Sequence, residues 1–165
     1  MTRTLKTLTA AAAGAVLAVA FATAAYAHHS FAMYDQTKTV TVTGAVKQYV
    51  PQANHAEFHL VLLNADRNGF EKSKDGKTTV EYGIEMAGTA QLERQGVSAS
   101  TFPVGTVISI RVNPLRDGTN FGARVGAIAR CPVDAASKKP MLPAAGKHCD
   151  SVAGMTLNPP ESKTF

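Results

Sequence analysis

The stretch "TAQLERQG" (89–96) is the one credible helix in a chain otherwise patterned for strands, and its position decides the fold. Thr89 can cap it, Ala90 to Gln95 tolerate helical geometry, and Gly96 suits a left-handed stop. Three strand patterns precede it. "TVTVTGAVKQYV" (39–50) alternates with period 2, placing Val40, Val42, Val46 and Val50 on one face and Thr39, Thr41, Thr43 and Lys47 on the other. Gly44 breaks that pattern as a bulge or a sharp barrel bend would, and Pro51 stops it. "HAEFHLVLLNA" (55–65) follows, with Phe58, Leu60 and Leu62 alternating against His55, Glu57 and His59. A helix capped by Asn54 is the other reading of that segment. The charged turn "DRNGFEKSKDGKT" (66–78) leads to a third strand, "TVEYGIEM" (79–86).

Two more strands follow the helix, within 104–130. Ile108, Ile110 and Val112 alternate inward, "NPLRDGTN" (113–120) is dense in turn residues, and Ala123, Val125, Ala127 and Ala129 share a face. Three strands, a helix and two strands is the order of a five-stranded OB-like barrel, with a β-sandwich as the competing arrangement. The reading is mainly β, with an irregular, proline-containing tail over 131–165. In such a barrel the loops 51–55 and 113–120 flank the usual binding face. The second offers Asn113, Arg116, Asp117 and Asn120 to a small polar ligand or a protein partner.

The N-terminal end reads as a secretion signal over 1–27. Arg3 and Lys6 precede the uncharged run "AAAAGAVLAVAFA", and Ala25-Tyr26-Ala27 gives the A-x-A pattern of a cleavage site. An uncleaved anchor is the alternative. Cleavage leaves an arm (28–38), a barrel domain (39–130) and the tail, and lowers the formal charge from +5 to +3. So mild a surplus, spread along the chain, argues against a nucleic-acid stripe. The expected compartment is the periplasm or the exterior, with no membrane span left after processing. There, Cys131 and Cys149, the only two cysteines, are expected to form a disulfide. A thiolate metal site with His148 is the other use of the pair.

These residues carry a resemblance. The chain resembles a group of small exported bacterial proteins known only as a domain of unknown function. Its members run A-H-H-S-F after the signal, then a T-G-x-V strand, an N-P-H-A stretch, a short helix, and a P-G-D-x-V strand ending near D-G-S-N. The matching residues here are Ala27-His28-His29-Ser30-Phe31, Thr43-Gly44-Ala45-Val46, Asn54-His55-Ala56, Pro103-Val104-Gly105-Thr106-Val107 and Asp117-Gly118-Thr119-Asn120. Three features depart from it: no proline stands between Asn54 and His55, Glu57 replaces the usual aromatic, and the cysteine-bearing tail is extra. The resemblance implies compartment and fold, and no reaction.

Cleavage after Ala27 would make His28 the first residue. Its α-amine and imidazole can chelate one metal, and a third nitrogen from His29 or His55 would complete an all-nitrogen set suited to Cu(II). Glu57 shares a strand face with His55 at about 6.6 Å and completes the expected ligands, His28, His29, His55 and Glu57. A solvated terminus and a hydrogen-bonded turn histidine are the plain alternatives. "HAEFH" is out of register with H-E-x-x-H, and no G-x-S-x-G or Gly-rich phosphate loop occurs. The chain is therefore expected not to be an enzyme, unless bound copper brings its own redox chemistry.

Overall fold

The computed structural model describes residues 31–158. The chain divides into two compact units, Met1–Met33 and Tyr34–Phe165. Only residues 31–33 of the first are described, so the predicted signal and both N-terminal histidines lie outside the described residues.

The second unit holds β1 (Val40–Val50), β2 (Glu57–Leu62), β3 (Glu81–Glu85), helix α1 (Thr89–Arg94), β4 (Val107–Pro114), β5 (Phe121–Arg130) and β6 (Thr156–Asn158). The first five strands run in the order β3-β2-β1-β4-β5, and a parallel pairing of β3 with β5 closes them into a barrel. Closure leaves few open edges, which suits a chain this rich in short strands. The expected barrel, with its helix before the fourth strand, is what forms. Phe58, Leu60, Ile84, Ile108, Ile110, Val112 and Ile128 fill its interior, and Leu92, Val97 and Phe102 join them from the helix and the segment after it. Phe58 stacks between Tyr49 and Phe102, at ring distances of 5.2 and 5.6 Å.

Local details differ from the pattern. β1 has its bulge between Val46 and Gln48, not at Gly44. Lys47 is the residue thrown out to solvent, and the face then switches, so Tyr49 rather than Val50 packs on the core. Gly44 serves a close approach. It pairs with both Leu62 and Ile108, and a Cβ there would lie 2.5 Å from the Val61 carbonyl oxygen. In β5 a second bulge interrupts the alternation between the partners of Ile110 and Arg111, at a Gly126 with φ +77°. Ala123 and Ala129 are buried, but Val125 is exposed and Ile128 enters the core. The helix is capped by the backbone of Gly88, while the Thr89 hydroxyl donates instead to the Gln52 carbonyl at 2.8 Å. Gly96 stops it with φ +72°, as expected.

The tail is more ordered than its composition suggests. Cys131 and Cys149 are joined, and with Ala129 they form a second buried cluster, against which Val107, Leu142 and Leu157 pack. The pairing leaves no thiolate for a metal. β6 adds to the C-terminal half of β5, pairing Leu157 with Ala129. No described helix is long and apolar enough to cross a membrane.

Candidate functional site

Strict alternation in β2 sends Phe58 and Leu60 inward and Glu57 and His59 to the outer face. β3 does the same, with Tyr82 and Ile84 inside and Glu85 outside. The register places Glu57 directly opposite Glu85, and His59 opposite Gly83. Like charges so placed cost stability unless something answers them. Here each carboxylate has an imidazole. His55 Nδ1 lies 3.1 Å from Glu85 Oε1, and His59 Nε2 lies 2.9 Å from Glu57 Oε2.

Glu85 has a second partner. The Tyr34 hydroxyl donates to Oε2 at 2.8 Å from a residue that is almost wholly buried. Burial, then the hydrogen bond to Glu85 and the nearby carboxylates, push the Tyr34 phenol well above its ordinary value, so it stays protonated and donating. Tyr34 is itself fixed by a bridge to Leu115 and by the Asp35 N–H donating to the Pro114 carbonyl at 2.8 Å. The result is a run of contacts, Tyr34–Glu85–His55, a hydrogen bond followed by an ion-pair distance, ending on a ring whose side chain is 48% exposed.

Of the expected metal ligands, His28 and His29 lie outside the described residues, and His55 and Glu57 stand on this face with different partners. Among the described residues, no group of three or more His, Cys, Asp or Glu is placed to hold a metal. Glu85, His59 and Tyr34 are the additions that sequence reading missed as site residues. A register of β2 against β3 would have found Glu85; nothing in the sequence marks Tyr34.

Two of the four loop side chains, Asn113 and Asp117, have structural tasks. Asn113 donates its amide to the Lys38 carbonyl at 2.6 Å. Asp117 accepts from the backbone N–H of Thr119 at 2.9 Å and from its hydroxyl at 2.8 Å, and these bonds hold its carboxyl below the usual range. The Asn120 carbonyl receives the Gly83 N–H at 2.9 Å, which ties the loop to β3, and its side chain is exposed, as is that of Arg116.

Residues 15–124 match the family of unknown function DUF6152. The chain belongs to that family. DUF6152 thus takes in β1 to β4, the helix and the outer face just described, while the end of β5, the disulfide and β6 lie beyond the matched residues. No curated protein and no solved structure gives a significant match.

Proposed function

We propose that the protein is exported and binds a divalent transition metal, copper in the first place, with His55 as the ligand that the barrel contributes. The observation supporting this is the placing of His55 against Glu85, itself held by Tyr34. Metal-bound histidines commonly give their other ring nitrogen to a carboxylate, which fixes the ring and raises its basicity. Glu85 Oε1 stands 3.1 Å from His55 Nδ1, near enough to take this role once a metal orients the ring, and a buried phenol fixes Glu85 in turn. Glu57, held by His59 on the same face, is the neighbouring oxygen donor. The remaining nitrogens are those of a mature N-terminus at His28: its amine, its imidazole and that of His29. A nitrogen-rich set favours Cu(II) over the other divalent ions. The leader read at 1–27 and the Cys131–Cys149 bond both fit an oxidising compartment.

The test is a calorimetric Cu(II) titration of three proteins: the processed chain, the same chain with one extra residue before His28, and His55→Ala. The extra residue moves the amine out of chelating position and leaves every side chain in place. Each change is expected to weaken binding by about tenfold or more. Equal affinities in all three, or no bound copper in the processed chain, would overturn the proposal.

A further inference from the structure

The barrel has two ends. The helix and Phe102 fill one; the other, where β1 starts and β2 finishes, holds a cavity of about 390 Å³. That is within the roughly 300–1,000 Å³ of small-molecule pockets, and barrel mouths are a usual place for them. Val42, Leu62 and Tyr82 supply its apolar wall, and Tyr82 is held by its hydroxyl donating to the Phe121 carbonyl at 3.2 Å.

Two opposite charges line the same cavity, Arg67 and Glu71. They form no ion pair with each other or with any other described residue, and no side-chain hydrogen bond engages either one. The Arg67 Nε is buried without a hydrogen-bond partner. A buried donor left unmade is costly, which points to a group that completes it. Arg67 also has φ +56°, a left-handed conformation that few side chains adopt. A knotted turn enforces it: Arg67 N–H donates to the Asn64 carbonyl at 3.1 Å, and the Asn64 and Asn68 side chains are bonded at 2.7 Å. Such strain persists where the surroundings over-determine it, as at ligand clamps.

A cavity with a cation whose buried Nε lacks a partner, a solvent-facing carboxylate outside any ion pair and an apolar wall between them fits a small zwitterion. We infer that the mouth of the barrel binds a free α-amino acid with an apolar side chain. Arg67 takes the carboxylate, Glu71 takes the ammonium, and the side chain lies against Val42, Leu62 and Tyr82. None of the residues named is Tyr34, His55, Glu57 or Glu85, and the site does not depend on the metal reading.

The probes are L-leucine, 3-methylbutylamine, which lacks the carboxylate, and 4-methylpentanoate, which lacks the ammonium. Chelator-treated protein is used, because amino acids themselves bind copper. Millimolar leucine should shift the amide signals of Thr41, Tyr82 and Asn120 saturably, with each analogue weaker by about tenfold. Arg67→Asn, which keeps a residue tolerant of the left-handed conformation, should weaken leucine and leave the amine unchanged. Glu71→Gln, at an exposed position, should weaken leucine and leave the acid unchanged. No saturable shift with leucine, an analogue binding as well as leucine, or variants that weaken all three probes equally would overturn the assignment.

Discussion

Replacing Cys131 and Cys149 together by alanine tests how the tail is attached. The bond spans a sequence separation of 18, and the chain entropy of that loop sets its contribution at about 3 kcal/mol. Both sulfurs are buried beside Ala129, Val107, Leu142 and Leu157, so their removal costs about 1–2 kcal/mol more in lost apolar burial. No polar group is orphaned: the Ser109 hydroxyl loses Cys149 but keeps Thr43 at 2.7 Å. The expected loss of about 4–5 kcal/mol corresponds to a fall in Tm of roughly 15 °C for a unit of this size. Alanine avoids the buried hydroxyls that serine would introduce. Thermal unfolding followed by circular dichroism gives the magnitude, and amide exchange gives the location. Protection should vanish first in β6 and at Asp134 and Met141, whose N–H groups bond the Lys139 and Pro132 carbonyls. It should persist at Ile108 and Ile110, whose core cluster contains neither cysteine. A Tm lowered by less than about 3 °C, or core amides that exchange together with the tail, would refute this reasoning.

Gly44→Ala should destabilise the barrel by about 2–3 kcal/mol, because the added carbon meets a backbone oxygen that cannot swing away; an unchanged urea midpoint would contradict it. His148 makes stability depend on pH. Burial first, and Arg111 to a lesser degree, depress its folded pKa below the usual 6.5 against the opposing pull of Asp150. The unfolded chain therefore binds the proton more readily, so the contribution of His148 is present above about pH 6.5 and is lost as pH falls toward the folded value. Urea midpoints measured from pH 7.5 down to 5 should fall less steeply in His148→Gln than in the parent, about equal slopes being the contrary result.

Strand content and order were legible because Ile108, Ile110 and Val112, or Phe58 and Leu60, state their face by simple alternation. The bulges were not. At Lys47 one extra residue inverts the face, and in β5 two residues, Gly126 and Ala127, stand unpaired; Val50 and Val125 look as inward as their true core neighbours, Tyr49 and Ile128. Thr89 is a good cap by type, but its hydroxyl goes to Gln52 across the barrel end, a tertiary partner that no local rule supplies. The candidate face was half legible. His55 and Glu57 stood out as residue types at a useful spacing, whereas Glu85 and Tyr34 join them only through cross-strand register and a distant bridge. Arg67 sat in a segment that reads as a solvated hairpin, so its place in the barrel mouth could not be inferred.

β5 is longer than the strand that closes the barrel on it. β3 reaches only Phe121, Gly122 and Ala123, and beyond those residues the same edge of β5 runs on to Arg130. β6 covers Ile128, Ala129 and Arg130 there. A chain ending before β6 would present that edge's amides and carbonyls to other copies, as an invitation to intermolecular strand pairing. The disulfide-anchored tail thus keeps that edge covered, holding its short strand where an unanchored three-residue strand would readily peel away.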